Sequence, residues 1–279
     1  EAVALASAPA AVSKLLLPEA SGKKTKKTSK ATIDYSNTKD GYVMVNYTAK
    51  TTKRLKVRVT GPKTEYTYDL PAGEWTTFPL ADGNGTYKVK VFENTTGNKY
   101  STVTSVSMNV KLTDEFAPFL RPNQFVDYEE ATNTIAKAEE LAGKKKDPMD
   151  KVAAIYNYVV KNIKYDTKLA ATVKSGYLPD LDKVLKTKKG ICFDYAALMT
   201  GMLRSQGVPC KLVVGYAGSA YHAWINVWSE EEGWLDGAIY FDGSTWQRMD
   251  PTFASSGKQS KAIMKYIGNG KNYKEKNLY

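Results

Sequence analysis

The stretch Lys189-Gly-Ile-Cys-Phe-Asp-Tyr-Ala-Ala-Leu-Met199, continuing to Leu203-Arg-Ser-Gln-Gly-Val-Pro-Cys-Lys-Leu-Val-Val-Gly-Tyr216, decides how this chain is read. Gly190 permits a tight entry turn, and Phe193 to Gln206 reads as one helix. Gly207 stands at its end and Pro209 beyond it. Lys211–Tyr216 then has the apolar, β-branched character of a strand. A helix beginning at a cysteine and handing over to a strand is therefore expected here.

Downstream, Ala220–Trp228, Gly237–Phe241 and Thr245–Asp250 read as further strands, with Asp242-Gly243 as a hairpin signal between the last two. Upstream, Val126 to Leu141 carries a helical pattern that ends at Gly143. Asp147-Pro148 looks like a helix cap followed by proline at the first helical position. The helix after it places Val152, Ile155, Tyr156, Val159 and Ile163 on one side. Helices first and an antiparallel sheet afterwards make this half of the chain α+β. The lysine- and tyrosine-rich tail, Phe253–Tyr279, is expected to pack back on it.

Three residues in this region carry a chemistry. Cys192 begins the helix, the single histidine His222 lies in Tyr-His-Ala-Trp-Ile-Asn-Val-Trp, and Asp250 lies in Met-Asp-Pro-Thr-Phe. Taken singly, each has an ordinary structural reading. In this order they supply a nucleophile, a base and an acid to orient the base, which is what thiol-based acyl transfer needs. A free thiol has a pKa near 8.5, and a helix N-terminus exposes N–H groups and positive dipole that favour the thiolate. The same N–H groups suit an oxyanion. Period two in the strand puts His222, Trp224, Asn226 and Trp228 on one face. The other cysteine, Cys210, is separated from Cys192 by a helix about 20 Å long, too far for a disulfide. Both are expected as free thiols, Cys210 as a small buried hydrophobe.

Residues 31–112 have a different texture. Leu55-Lys-Val-Arg-Val-Thr and Tyr87-Lys-Val-Lys-Val-Phe alternate strictly, and Gly61-Pro62, Pro71-Ala-Gly73 and Asp82-Gly-Asn-Gly85 punctuate them. About seven short strands in this span indicate an all-β immunoglobulin-like sandwich, with Asp82-Gly-Asn-Gly-Thr-Tyr87 as its tyrosine corner. The expected organisation is a low-complexity, lysine-rich leader at 1–30, the sandwich at 31–112, a linker at 113–125 and the α+β catalytic domain at 126–279.

Composition narrows the function. The 279 residues carry a net charge of +11. The lysines are scattered in short clusters with few arginines and no nucleic-acid motif, so nucleic acid is not expected as a partner, and anionic wall polymers are the polyanion considered. No run reaches the roughly 18 apolar residues of a transmembrane segment. The chain begins at Glu1 rather than Met, which suggests a processed or trimmed sequence; no secretory signal is visible in it, and a secreted or cell-surface location is an expectation only. One histidine and two separated cysteines make no metal cluster, and neither a P-loop nor a dinucleotide fingerprint occurs, so no metal or cofactor is expected.

The segment from Lys189 to Tyr216, with Tyr221-His-Ala-Trp and Trp246-Gln-Arg-Met-Asp-Pro-Thr-Phe, resembles the core of the transglutaminase-like superfamily. Upstream, Tyr158-Val-Val-Lys-Asn-Ile-Lys-Tyr-Asp166 is similar to the helix those domains place before the catalytic one. The resemblance covers roughly residues 125–256 and points to the bacterial, secreted type. It implies a papain- or transglutaminase-like fold, with Cys192 as nucleophile, His222 as base and Asp250 as orienting acid. The implied reaction attacks a carboxamide or peptide bond through a thioester; water as acceptor makes a peptidase or amidase, an amine a transglutaminase. Tyr165 and Tyr195 are candidates for a second oxyanion donor. The competing expectation is a non-catalytic cell-surface binding or scaffold protein on the same fold.

Overall fold

Strict alternation in Leu55-Lys-Val-Arg-Val-Thr60 becomes a strand with Leu55, Val57 and Val59 buried and Lys56, Arg58 and Thr60 only partly covered. This computed structural model describes residues 15–217, 220–241, 246–248 and 273–279. The chain divides into two compact units, Leu17–Pro118 and one that contains Phe119–Tyr279.

The first unit is all-β. Its strands are β1 (Thr25–Lys27), β2 (Ala31–Asp34), β3 (Tyr42–Tyr47), β4 (Leu55–Thr60), β5 (Glu65–Asp69), β6 (Thr76–Pro79), β7 (Gly85–Asn94) and β8 (Tyr100–Val110). They form two antiparallel sheets in the orders β1-β2-β3-β6 and β5-β4-β7-β8. Inward residues of the two sheets meet: the rings of Tyr68 on β5 and Phe78 on β6 lie 4.8 Å apart. The Tyr87 hydroxyl donates to the Gly83 carbonyl (2.7 Å) and accepts from the Asp82 amide (3.0 Å), pinning the turn ahead of β7. Asp82 in turn accepts from the amides of Lys63 and Thr64. The lysine-rich stretch read as leader contributes an edge strand here, β1, whose three residues are all exposed. Lysine at a sheet edge is a common guard against further strand pairing.

The second unit is α+β. Its helices are α1 (Thr132–Ala142), α2 (Pro148–Asn162), α3 (Thr167–Thr172), α4 (Leu181–Thr187) and α5 (Cys192–Ser205). Asp147 caps α2 by accepting from the Met149 amide at 2.8 Å, with Pro148 at the first position, as the sequence indicates. The helix expected from Val126 begins only at Thr132. Val126 and Tyr128 are buried but precede it, in a turn held by Asn123, whose side chain accepts from the amides of Phe125 and Val126. Their burial mimics a helical stripe. The start of α1 is capped from another element: Asp182 on α4 accepts from the Thr134 amide (2.8 Å) and hydroxyl (2.7 Å).

A parallel pair of two-residue strands, β9 (Lys164–Tyr165) and β10 (Lys189–Gly190), precedes α5. The main sheet is antiparallel, in the order β14-β13-β12-β11-β15, from β11 (Cys210–Ala217), β12 (Ala220–Ser229), β13 (Gly233–Phe241), β14 (Trp246–Arg248) and β15 (Tyr273–Leu278). The tail thus returns to the domain, β15 pairing with β11. The Asp242-Gly243 hairpin signal lies outside the described residues, although β13 and β14 pair antiparallel. Among the described residues no helix is long and apolar enough to cross a membrane.

Helix α5 packs against α1, α2 and α4 on one side and β11 and β12 on the other, and every one of its residues is buried. Its C-terminus ends as the glycine predicts: Gly207 has φ +75°, and the Val208 amide donates to the Leu203 carbonyl at 3.0 Å. Lys151 of α2, itself buried, donates to the Gln206 carbonyl at 3.1 Å, placing a cation at the negative end of the helix. Arg204 is fully buried; its guanidinium donates to the carbonyls of Cys210 (3.0 and 2.8 Å), Arg121 (3.0 Å) and Tyr279 (2.5 Å). One side chain thus ties α5 to the start of β11, to the chain before α1 and to the end of β15.

An ammonium cannot reproduce this planar fork. Arg204→Lys should therefore lower the free energy of unfolding by about 2–4 kcal/mol, because buried carbonyls lose their donors. Urea denaturation followed by near-ultraviolet circular dichroism checks this; a loss below about 0.5 kcal/mol, the level of an ordinary surface substitution, would show that the fork is dispensable.

Candidate active site

Gly190, Ile191 and Cys192 form the entry to α5. The parallel pairing of Gly190 with Tyr165, and the Asp166 amide donating to the Gly190 carbonyl at 2.9 Å, hold this entry against the segment that follows α2. Cys192 is the first residue of the helix and is 5 % exposed. The backbone amides of Phe193 and of Cys192 itself favour the thiolate, as a helix start predicts. Burial outweighs them and pushes the thiol up to about 12, with the neighbouring Asp194 adding to the rise. The expected gain from the helix N-terminus is present, but alone it does not ionise this cysteine.

His222 lies in β12, opposite Gly215 of β11. The structure brings the helix that begins at Cys192 and the strand that carries His222 together, since α5 packs on β11 and β12. Asp250 lies outside the described residues. Asn226, which shares β12 with His222, is buried, and its side chain accepts from the Gly237 amide at 2.7 Å where the β12–β13 register shifts. Gly237 has φ +64°, the left-handed region that glycine adopts without strain.

The two tyrosines named from sequence differ. Tyr195 donates its hydroxyl proton to the Ile163 carbonyl at 2.5 Å, which commits that proton to the junction between α2 and β9. Tyr165 is half-buried and near enough to Cys192 for the two to interact electrostatically; burial, then the thiolate, raises its pKa.

Sequence reasoning overlooked Asp194 and Tyr177. Asp194, third in the helix and completely buried, accepts from the Ile191 amide at 2.9 Å and from the Tyr177 hydroxyl at 2.7 Å. Burial raises its pKa, and the two donors oppose that rise. An acidic residue three positions after the N-cap is half of a capping box and was the available signal. Tyr177 comes from a connecting loop and leaves no trace in periodicity.

Cys210 is free, like Cys192, and fully buried; its Sγ lies 3.6 Å from the Thr200 hydroxyl. Burial pushes its thiol up to about 12. The folded state therefore binds this proton more tightly than the unfolded chain, whose thiol has a pKa near 8.5. Its contribution to stability is complete below about pH 8.5 and is lost as pH rises towards 12, at up to about 1.4 kcal/mol per pH unit. Urea unfolding between pH 8.5 and 10 should show this decline, and Cys210→Ala should make it shallower. Parallel profiles for the parent and the variant would contradict the assignment.

Residues 135–251 match the family model described as the transglutaminase-like superfamily. The chain is 32 % identical over 117 residues to a protein-glutamine gamma-glutamyltransferase of Pseudomonas aeruginosa, covering 36 % of this chain and 17 % of that protein. It is 31 % identical over 109 residues to the mouse kyphoscoliosis peptidase, covering 38 % of this chain and 16 % of that one. Among solved structures, red sea bream transglutaminase aligns at a TM-score of 0.30 and 14 % identity, over 76 % of this chain and 48 % of that one. The chain thus spans less than a fifth of the length of these two curated relatives. The match runs from within α1 through the cysteine helix and the strands β11–β14, and the segment 135–251 of this chain is a domain of the transglutaminase-like superfamily.

Proposed function

We propose that this protein is a thiol acyltransferase or peptidase that cleaves carboxamide or peptide bonds through a thioester on Cys192. The observation that carries the reading is Cys192 at the first position of a buried helix, inside a segment that matches this superfamily. The names of the relatives above, a glutamine transferase and a peptidase, fall within the two outcomes of that chemistry.

In this reading His222 takes the thiol proton as Sγ attacks the substrate carbonyl carbon. The tetrahedral oxyanion accepts from the backbone amides at the start of α5. Collapse breaks the C–N bond, and the amine leaves with the proton held by His222. Water or a second amine then attacks the thioester carbonyl, gives its proton to His222, and the acyl group departs as acid or amide with Cys192 restored as the thiol. Asp250 holds the imidazole in the tautomer that presents a free nitrogen to the sulfur. His222 also supplies what the helix start lacks, a positive partner for a sulfur that burial keeps protonated.

The substrates we assign are peptides or proteins outside the cell or in its wall. Support comes from the net charge of +11 and from an all-β unit ahead of the catalytic domain. We read that unit as an immunoglobulin-like sandwich, from its two four-stranded sheets and the bonding of Tyr87.

An N-blocked glutaminyl-glycine dipeptide and a denatured protein serve as test substrates, scored for ammonia and for new termini, with and without hydroxylamine as a second acceptor. Cys192→Ala should lower turnover by at least about 10³-fold with the fold retained, and His222→Ala by about 10²–10⁴-fold. Full turnover in Cys192→Ala would remove this reading.

A further inference from the structure

The carboxylate of Asp194 sits two residues beyond the nucleophile, a position where negative charge opposes formation of the thiolate. A buried acid there is costly both to itself and to the sulfur, so its placement needs a reason. Its hydrogen bonds supply one. The Oδ2 atom accepts from the amide of Ile191, the residue that immediately precedes Cys192. The Oδ1 atom accepts from Tyr177, which lies between α3 and α4, so the bond crosses from one segment of the chain to another. Both flanking helices are themselves fixed by aspartate caps: Asp166 accepts from the Leu169 amide at 2.9 Å and Asp180 from the Lys183 amide at 3.1 Å. Space is reserved for the arrangement, because a Cβ on Gly190 would lie 2.7 Å from the Cβ of Asp194 and 3.1 Å from its Oδ2.

We infer that Asp194 and Tyr177 are positioning residues for Cys192: the chain Tyr177 hydroxyl, Asp194 carboxylate, Ile191 amide holds the turn from which Cys192 enters α5. The inference rests on the acyl-transfer reading for its purpose, but its geometry does not. The charged and titratable groups that act on the carboxylate and its tyrosine partner are Asp166, Asp180, Lys183 and Cys192. Among the described residues Lys183 is the one cation acting on this carboxylate, which is also held by its two hydrogen-bond donors.

The test uses Asp194→Asn, Asp194→Ala and Tyr177→Phe in the full chain, with iodoacetamide as the probe. The second-order rate of Cys192 alkylation is read by peptide mass spectrometry across pH, and thermal stability is recorded beside it. Both Asp194 substitutions remove the charge, but only asparagine keeps an acceptor for the Ile191 amide. The expected result is alkylation about tenfold faster in Asp194→Asn than in Asp194→Ala, the worth of one hydrogen bond at the nucleophile turn. Tyr177→Phe should lie below the parent by about threefold to tenfold with KM for the test amide unchanged and kcat reduced. Equal rates in Asp194→Asn and Asp194→Ala, or losses of stability with alkylation and kcat unaltered, would overturn the inference. Because alkylation needs no acyl substrate, retained turnover in Cys192→Ala would remove the acyl-transfer reading and leave this result standing.

Discussion

The complete burial of α5 is the constraint on which the rest of this domain depends. A helix with no exposed residue must have both ends satisfied from within the protein, since water is not there to do it. At the C-terminus this is done by the amides of Gly207 and Val208, which take the carbonyls of Arg204 and Leu203, and by Lys151 on the Gln206 carbonyl, while the Arg204 side chain ties the last turn to neighbouring segments. At the N-terminus Asp194 takes the Ile191 amide. The segments that supply these partners come from before α1, from α2, from the loop ahead of α4 and from the strand that ends the chain. The order of the fold follows from what the helix requires.

This constraint sets the problem that the chemistry must solve. A nucleophile placed on a buried helix is pre-organised, because its backbone cannot move without disturbing the core. The same burial removes the water that would stabilise a thiolate. In this protein the second effect is larger than the dipole and amides of the helix start, and the thiol is driven upwards. The proposed reaction then calls for a cationic partner, and the single histidine lies on a strand against which the helix packs.

Much of this was legible in the sequence because it depended on local chemistry. Asp147-Pro148, Gly207-Val-Pro209 and the alternation of β4 and β7 are signals that act within a few residues, and the structure follows them. The start of α1 was misread because Val126 and Tyr128 are buried through tertiary packing, which periodicity cannot distinguish from a helical face. The cap of α1 by Asp182 and the tie of Asp194 to Tyr177 join residues 48 and 17 positions apart, and no local pattern announces either. Of the proposed triad, the sequence placed Cys192 at the start of a helix and His222 in a strand, as the structure has them, and Asp250 lies outside the described residues.

The central claim is that His222 reverses the effect of burial on Cys192. The most direct measurement is the apparent pKa of Cys192 from the pH dependence of its alkylation, in the parent and in His222→Ala, with Cys210 as an internal reference. The account predicts a value below that of a free thiol, about 8.5, in the parent, and a rise in the variant towards the high value that burial imposes. A high value in both, or a low value that survives removal of the histidine, would contradict it.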